Sequence, residues 1–500
     1  MPDNAATARR STRRQKRVIC LATIILTMSV GLAAAFPGTA ANAAPPPLTD
    51  YPDYSASNSA PNGVTPPIRY GTDGKGSTQS AGCTTTAGSD FQSKIDSAAA
   101  GAVICVQPGD YSGSSMTVNK AVTVRAVRPS SPNAVAAKVK NIVISGSNAT
   151  VDGFNVVGGK LGSPNYAIKF SGTGHQIINN LIRGRGIYYA VGCEQSLGCG
   201  TNVRIASNTI TGVHNFGIYL WGGSGIVVEK NNIFDLYQSK DVDDVDAMRL
   251  WGSNQVVRNN YIHDINGNKS AGAPHVDCYQ TYQSGSTPAR LTSAIDFENN
   301  YCVRVTGQCF IAQNDQRAAA ELQDFTLRGN VCEAYGWQVI EFDGVPSITM
   351  DNNYVTGAGA RFTTVLNFAN SSPNGLSSNI KLRNNVLVRG SSGTRFVNFP
   401  TGTGIVEPKD NTANLQLVDT SMTTSYNNFI NNKNSFPPAR SNDFTFYRNS
   451  ATSGVLNNPN IVDKGKQPNS FSAFGGFNTD VDGAARKQGV EYDIGPFEFR

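Results

Sequence analysis

One short phrase recurs through the middle of the chain and limits its fold more than any other feature. An alternating apolar strand runs into Asn-Asn or Gly-Asn, and a second short apolar strand follows, as in VVRNNYIHD and DFENNYCV. The second Asn of the phrase falls at Asn180, Asn208, Asn232, Asn260, Asn300, Asn330, Asn353 and Asn385. A repeat period within about 20–50 residues is typical of stacked architectures, in which each unit closes its core only against its neighbours.

The pattern inside each repeat predicts an all-β solenoid rather than a helical array. Apolar and polar residues alternate with the period of two that is typical of strands. The Asn has a physical role at a corner, because it tolerates a left-handed backbone and its amide can bond the amides above and below. Ordinary hairpins in a β-sandwich are the alternative, but their loops would vary, whereas this Asn returns at one point of the phrase.

The repeats, from roughly Gly82 to Pro400, resemble the coils of the right-handed parallel β-helix, the pectate-lyase-like superfamily. A predicted helix from Phe91 to Ala100 and the segments AVICVQPGDYSG and AVTVRAV together resemble the N-terminal cap and first coil of such proteins. The resemblance implies an all-β, right-handed parallel β-helix with a short N-terminal capping helix. It does not imply one particular reaction, because a single fold hosts many activities.

The flanking segments have different compositions. Residues 1–43 have the pattern of a signal peptide, with a basic start, an apolar run from Val18 to Phe36 and an A-x-A cleavage site ending at Ala43. An uncleaved membrane anchor is the alternative. Residues 44–81 are rich in Pro, Ser, Asn and Gly and predict an extended linker, and residues 401–500 predict irregular coils and a C-terminal cap. We therefore expect a secreted protein that leaves the membrane after cleavage.

The charge balance argues against a nucleic-acid partner. The full chain carries 42 Lys and Arg against 36 Asp and Glu. Six of these bases and one of these acids lie in the signal segment, so the remaining chain is almost neutral. A nearly neutral protein has no electrostatic footprint for nucleic acid, and it gains no general attraction to an acidic polymer.

Cysteine usage fits an extracellular protein. Eight of the nine Cys lie after the signal segment, and an even number in a secreted chain predicts disulfides. Spacing favours Cys83–Cys105 and Cys193–Cys199. Cys302 and Cys332 follow the repeat Asn in consecutive coils, about 4.8 Å apart if the strands stack, which predicts Cys302–Cys332 and leaves Cys278–Cys309. The spacings do not resemble those of a zinc site.

One coil has an abnormal length and predicts the position of the functional site. The gap from Asn260 to Asn300 spans 40 residues and contains HVDCYQTYQ, with DVDDVDAMRLWG one coil earlier and WQVIEFDG after it. Extra loop length on one face of a solenoid usually builds the binding face. Strand alternation predicts one outward surface for the candidate catalytic residues Asp277, His275, Asp246, Arg249 and Glu341 and the candidate substrate-binding residues Tyr279, Gln280, Trp251, Trp221 and Asp343.

These residue types suit chemistry on sugars, although each also has a structural alternative. Carboxylic acids can donate protons or act as bases or nucleophiles at a glycosidic bond, and aromatic rings stack on sugars. His275 could instead bond its own loop, Arg249 could be a salt-bridge partner, and the two Trp could pack under a loop. Asp241, Asp243 and Asp244 form an oxygen-rich cluster that predicts either a calcium site or a solvated turn.

Three functions remain open at this stage. Glycoside hydrolysis needs two carboxyl groups and no cofactor, and Asp246 and Asp277 are predicted to lie in adjacent coils. Elimination from a uronate needs a base and a group that neutralises the carboxylate, often calcium. A carbohydrate-binding or adhesive solenoid needs neither. The nearly neutral charge favours hydrolysis of a neutral polysaccharide, and we expect the protein to act as a monomer.

Overall fold

A computed structural model describes most of the predicted solenoid. The described residues are 70–77, 82–131, 135–158, 165–184, 186–194, 198–236, 244–265, 275–283, 291–314, 321–357, 362–368, 377–383, 385–389, 395–398 and 416–418. The predicted signal segment and most of the predicted linker and C-terminal region lie outside them. In this part of the chain no helix is long and apolar enough to span a membrane.

The strands form three parallel ladders, and the chain visits each ladder once per coil. Ladder 1 contains β1 (Thr85–Ala87), β2 (Val103–Val106), β4 (Thr123–Ala126), β6 (Thr150–Asp152), β9 (Gln176–Ile178), β12 (Arg204–Ala206), β15 (Val227–Glu229), β18 (Ser253–Arg258), β21 (Thr292–Glu298), β24 (Leu322–Arg328), β27 (Pro346–Asp351) and β30 (Ser378–Arg383). Ladder 2 contains β7 (Asn155–Val156), β10 (Leu181–Arg183), β13 (Thr209–Thr211), β16 (Asn232–Phe234), β19 (Tyr261–Ile265), β22 (Tyr301–Val305), β25 (Val331–Ala334), β28 (Tyr354–Gly357), β31 (Val386–Arg389) and β33 (Gln416–Val418).

Ladder 3 carries the region that the sequence marks as functional. It contains β3 (Asp110–Val118), β5 (Lys138–Ile144), β8 (Tyr166–Phe170), β11 (Tyr189–Gly192), β14 (Phe216–Leu220), β17 (Asp244–Leu250), β20 (His275–Gln283), β23 (Gln308–Asn314), β26 (Gln338–Asp343), β29 (Thr364–Asn367) and β32 (Arg395–Asn398). The long strand β5 pairs with β7 at its start and with β8 at its end, so ladders 2 and 3 join there. The protein is a right-handed parallel β-helix, as predicted.

The inner rows of the ladders explain why these short strands hold together. Each ladder 1 strand from β2 to β30 contributes an apolar core residue to one continuous row, in which it lies beside its equivalents in the adjacent coils, as Val228 and Val257 do. Coils can stack in this way because each one presents apolar side chains at the same three inner positions. A coil alone would leave these side chains in water, so the core exists only between neighbours.

An asparagine ladder fixes the corner between ladders 1 and 2. Its members are Asn180, Asn208, Asn231, Asn260, Asn300, Asn330, Asn353 and Asn385. Each side-chain oxygen from Asn208 onward accepts the backbone N–H of the preceding member, and these bonds measure 2.9–3.0 Å. The prediction of a ladder is correct. The prediction that Asn232 belongs to it is wrong, because Asn231 aligns with Asn260 and Asn232 begins β16.

The left-handed backbone at this corner belongs to the residue before the ladder Asn. Lys230, Asn259 and Asn299 have φ values of 56°, 53° and 54°. The first Asn of the repeated phrase therefore turns the chain, and the second bonds the coils together. This division of roles explains why the phrase often contains two Asn, since Asn is among the residues that tolerate a positive φ.

A stack of glycines forms the corner between ladders 3 and 1. A Cβ on Gly200 would lie 1.7 Å from the carbonyl oxygen of Gly172, and one on Gly252 would lie 2.4 Å from that of Gly223. Each glycine also has a positive φ. The backbones of successive coils therefore pack directly on each other here, and any side chain would separate them.

The N-terminal end is covered as the sequence predicts, with small differences in length. Helix α1 spans Phe91–Ser97, and Ala98 is already extended. The buried residues Phe91 and Ile95 pack on the first coil, which covers strand edges that would otherwise be unpaired. Within the predicted linker, the described residues 70–77 run across several coils, and the Gly71 N–H donates to the Lys230 carbonyl at 2.7 Å.

Four disulfides are present among the described residues, and two of them differ from the prediction. Cys83–Cys105 and Cys193–Cys199 are confirmed. Cys302–Cys332 and Cys278–Cys309 are wrong, because the bonds join Cys278 to Cys302 and Cys309 to Cys332. Cys302 and Cys332 are register partners on ladder 2, and side chains of such partners point the same way rather than toward each other. Each finds its partner across the interior, on ladder 3 of the preceding coil.

Candidate functional site

Two aspartates lie side by side on the outer row of ladder 3. Asp246 of β17 is the direct register partner of Asp277 of β20. Phe216 and Gln308 continue the same row on either side. Neighbouring parallel strands are about 4.8 Å apart, so the two carboxyl groups share one small volume. Both side chains are fully buried.

Arg249 joins this pair to a third carboxylate. Its Nε donates to Asp246 Oδ2 at 2.8 Å, and its Nη2 donates to Asp244 Oδ2 at 2.7 Å. The guanidinium carbon lies 4.5 Å from the Phe216 ring centroid and 5.5 Å from that of Tyr282. These contacts fix the guanidinium and stabilise charge on Asp246. They also engage the positive charge of Arg249, which leaves little of it for a substrate.

Asp277 is bonded through only one of its two oxygens. Its Oδ1 accepts the backbone N–H of Gln308 at 2.9 Å. Its Oδ2 has no hydrogen-bond partner among the described residues. His275 Nδ1 is 3.8 Å from this oxygen, beyond hydrogen-bond distance, and the imidazole is about half exposed. Asp277 therefore has one oxygen available for a reacting group.

The surroundings shift the proton affinity of both aspartates in the same direction. Burial raises the pKa of Asp277 well above its usual range, and the negative charge of Asp246 raises it further. Burial also raises the pKa of Asp246, although Arg249 opposes that shift. Two adjacent buried carboxyl groups cannot easily both ionise. Because Arg249 stabilises charge on Asp246, we assign the proton that the pair shares to Asp277.

A second outer row runs beside the acid pair and carries polar groups. Arg249, Gln280 and Glu341 belong to it, with Ile311 between the last two. Gln308 Nε2 donates to Glu341 Oε2 at 2.8 Å, so this glutamine touches both Glu341 and Asp277. The Gln308 residue therefore links Glu341 to Asp277.

Asp343 lies at the far end of β26, beside Gln313 of the preceding coil. It is buried and two residues beyond Glu341. Its position along ladder 3 is therefore offset from the row that contains Asp246 and Asp277. The structure does not bring Asp343 into contact with the acid pair.

Tyr279 faces the core, so its predicted place on the outer surface is wrong. Its ring packs 4.7 Å from the Phe297 ring and belongs to the same apolar cluster as Cys278. Two consecutive residues, Cys278 and Tyr279, therefore face inward, which breaks the alternation after Asp277. Gln280 then lies on the outer row. Ala247 and Met248 repeat this break one coil earlier.

Trp221 and Trp251 are packed together rather than displayed to a substrate. They are 5% and 0% exposed, and their ring centroids are 4.2 Å apart. Trp251 Nε1 donates to the Tyr282 carbonyl at 2.7 Å. The structure thus favours the packing alternative over sugar stacking for both rings.

The predicted calcium cluster falls mostly outside the described residues. Asp241 and Asp243 are not among them, and Asp244 is bonded to Arg249. Across the described ranges no group of three or more His, Cys, Asp or Glu is arranged to hold a metal ion. A calcium site at these three residues stays a prediction, and we base no chemical step on it.

Sequence reasoning missed two residues of this region. Gln308 contacts both Asp277 and Glu341, but it belongs to a coil without an insertion. Its register position beside Asp277 was the only signal, and it depends on knowing the stacking. Trp337, the residue before β26, is 58% exposed. The chain has only three Trp, so its presence beside a marked strand was a usable signal.

Comparison with known proteins gives fold similarity at low identity. No family model and no curated protein sequence matches the chain. Among solved structures, the pectate lyase Pel9A is 13% identical with a TM-score of 0.48, over 85% of this chain and 99% of that one. A family 6 polysaccharide lyase from Pseudopedobacter saltans is 12% identical with a TM-score of 0.40, over 71% and 96% of the two chains.

A third solved structure belongs to a different class of enzyme. The catalytic unit of a GH87 α-1,3-glucanase from Streptomyces thermodiastaticus is 14% identical with a TM-score of 0.35, over 69% of each chain. Such scores and identities carry no argument about activity. The assignment of the fold rests on the parallel ladders of this chain, and its function has to be argued from the site.

Proposed function

We propose that the protein hydrolyses glycosidic bonds of a polysaccharide, with Asp246 and Asp277 as the catalytic carboxyl groups. The observation that supports this proposal is their direct register on adjacent strands, where one carboxyl is paired with a cation and the other is not. Glycoside hydrolysis uses two acids in opposite protonation states across one bond. This pair has that asymmetry.

Asp277 serves as the general acid in this mechanism. Burial and the charge of Asp246 raise its pKa and so favour its protonated form, and its Oδ2 has no described partner to compete for the proton. Gln308 holds the other oxygen in place. Asp277 therefore protonates the leaving glycosidic oxygen as the bond to the anomeric carbon breaks.

Asp246 supplies the ionised carboxylate. Arg249 stabilises its charge through Nε and Nη2, which lie 2.8 Å and 2.6 Å from Oδ2. The carboxylate attacks the anomeric carbon, and water later releases the sugar with Asp277 acting as base. Both groups are buried in this structure, so a glycan must displace neighbouring side chains to reach them.

Elimination from a uronate is the less suitable alternative. Among the described residues the site carries the acids Asp244, Asp246, Asp277 and Glu341 against the single guanidinium of Arg249. That guanidinium is already paired with two carboxylates. A substrate carboxylate would add another negative charge with no further Lys or Arg among the described residues of the site to neutralise it, whereas a neutral sugar would not. We therefore infer a neutral polysaccharide as the substrate and an extracellular site of action, which fits the disulfides.

A polysaccharide panel tests this proposal. The mature protein is incubated with neutral and uronate-containing polymers, and reducing ends and the absorbance of unsaturated uronates are followed together. We expect new reducing ends from a neutral polymer without the absorbance signal. Release of unsaturated uronates would show that the reaction is elimination rather than hydrolysis. Binding without either signal would support a carbohydrate-binding solenoid.

A further inference from the structure

Trp337 is the largest hydrophobic side chain that the described residues leave in water. It is 58% exposed, and the other large exposed hydrophobic side chains are Leu291 at 55% and Val135 at 42%. Leu291 precedes β21 on ladder 1 and Val135 precedes β5, so the three belong to different parts of the fold. An isolated exposed indole is too small for a protein interface, which needs a contiguous apolar patch.

The backbone that carries this indole is held on both sides. Gly336 N–H donates to the Gly307 carbonyl at 2.8 Å, and a Cβ on Gly336 would lie 2.4 Å from that oxygen. On the other side, the Trp337 carbonyl accepts the backbone N–H of Thr363 at 2.8 Å and its hydroxyl at 2.9 Å. The exposed ring therefore projects from a fixed corner between ladders 2 and 3.

The corner lies beside the row of the acid pair. Asp277 is the register partner of Gln308, and the register of β23 with β26 places Gln308 beside Gln338. Trp337 immediately precedes Gln338, two strand separations or about 10 Å along the stack from Asp277. At that distance Trp337 does not contact the bond that is cleaved, but a polysaccharide chain bound at the acid pair can extend to it.

We propose that Trp337 is a sugar-binding subsite, on which one face of a pyranose ring of the polysaccharide stacks two coils away from the cleaved bond. This inference rests on the proposed function, because the acid pair defines where the glycan lies. A pyranose has an apolar face and polar edges. The indole matches the face, and Thr363 and Gln338 beside it offer polar groups to the edges.

Fluorescence quenching tests the subsite without depending on turnover. Trp221 and Trp251 are buried, so acrylamide should quench mainly Trp337, and Trp337→Phe should remove that quenchable emission. The Asp277→Asn protein is used because it should not degrade the polymer. In this variant, a saturating concentration of a neutral polysaccharide is expected to protect Trp337 from acrylamide. Unchanged quenching with a polymer that binds or is degraded would overturn the subsite. Protection by a polymer, when the wild type cleaves no polymer of the panel, would support the subsite and refute the hydrolase.

Kinetics separate this subsite from the catalytic pair. Trp337→Ala should raise KM for long chains about tenfold with kcat little changed, because only ring stacking is lost. Oligosaccharides too short to reach the corner should show no change. Leu291→Ala, at a comparably exposed side chain on ladder 1, is the matched control and should leave KM unaltered. Equal KM values for Trp337→Ala and the wild type on long chains would contradict the assignment.

Discussion

At the scale of single residues, the acid pair stores an unfavourable interaction that the fold tolerates. Asp277 and Asp246 are both buried, and the negative charge of Asp246 adds to the effect of burial in raising the pKa of Asp277. A structural pair of this kind could be replaced by amides with a gain in stability. An acid pair with one member, Asp277, in the coil with the longest insertion is what we expect of groups that serve chemistry.

The raised pKa of Asp277 determines the direction in which the stability of the protein changes with pH. The folded protein binds the proton more tightly than the unfolded chain does, so its stability falls as pH rises above the ordinary range of aspartate. Asp277→Asn removes this penalty. We expect the variant to melt a few degrees above the wild type at pH 8 and to lose this advantage at pH 3, as followed by circular dichroism.

Asp264 is a control for this prediction, because its pKa is shifted in the opposite direction. Burial raises its proton affinity, but hydrogen bonds from Arg304 and His263 outweigh that effect and lower the pKa of Asp264. Its contribution to stability is present above the ordinary range of aspartate and is lost as pH falls. Asp264→Asn should therefore destabilise the protein at pH 8 and matter less in acid. If Asp277→Asn behaves in the same way, its carboxyl is a stabilising bond acceptor and our protonation assignment is wrong.

The separation of the two carboxyl groups predicts the stereochemistry of the reaction. Asp246 and Asp277 are direct register partners, one strand step apart. About 5–5.5 Å between carboxyl groups is typical of retaining enzymes, whereas inverting enzymes leave about 6.5–9.5 Å for a water molecule. We expect retention, detected by proton NMR as first appearance of the product anomer that matches the substrate. Initial formation of the opposite anomer would show that water enters between the groups.

At the scale of elements, the corners of the solenoid decide how its strands align. The Asn231 side chain makes four buried hydrogen bonds, with the backbone and side chain of Asn208, the Ile205 carbonyl and the Asn260 side chain. The Asn232 side chain lies outside this ladder and bonds His263. We therefore expect Asn231 to contribute more to stability than Asn232, although the two residues are adjacent in the sequence.

Alanine substitutions of these neighbours test the ladder. Asn231→Ala leaves several buried polar groups unpaired, and each costs about 1–3 kcal/mol. We expect it to lower the free energy of unfolding by about 3 kcal/mol or more, in urea titrations. Asn232→Ala removes one bond and should cost about 1 kcal/mol. An equal or larger loss for Asn232→Ala would move the ladder back to the position that the sequence first suggested.

Peptide mapping tests the disulfides that cross the interior. Trypsin cuts after Arg290, Arg304, Arg317 and Arg328, so each of the four cysteines from Cys278 to Cys332 falls in a separate peptide. Without reduction, mass spectrometry should find residues 291–304 joined to the peptide that ends at Arg290. It should also find residues 305–317 joined to the peptide that begins at Gly329. A bond between Cys302 and Cys332 would contradict the structure.

At the scale of the whole molecule, the sequence predicts the features that recur in every coil but not the features that belong to a single coil. The period and the recurring Asn predict a β-solenoid, because stacking makes every coil obey one pattern, and the resemblance of the repeats to known coils adds the parallel β-helix. Alternation correctly places Asp277 on an outer row. It fails at Tyr279, because the consecutive residues Cys278 and Tyr279 both face inward.

The remaining errors have the same physical origin. The sequence does not show that Cys302 faces Cys278 across the interior, because linear spacing contains no information about side-chain direction. The contact between Gln308 and Asp277 depends on register, which neither residue reveals alone. The glycine stack is visible in the sequence as GTG, GCG and GGSG, but its meaning comes only from the close approach of the backbones.

The rate of polysaccharide cleavage by Asp277→Asn tests the central claim most directly. The substitution keeps the size of the side chain and removes its proton, so turnover should fall by about 10²–10⁴ on a neutral polymer that the wild type degrades. Asp296→Asn is the matched control. Asp296 also has a pKa raised by burial, but it lies on ladder 1, away from the pair, and its variant should keep wild-type turnover. Full activity of a folded Asp277→Asn protein would show that cleavage does not depend on this carboxyl group.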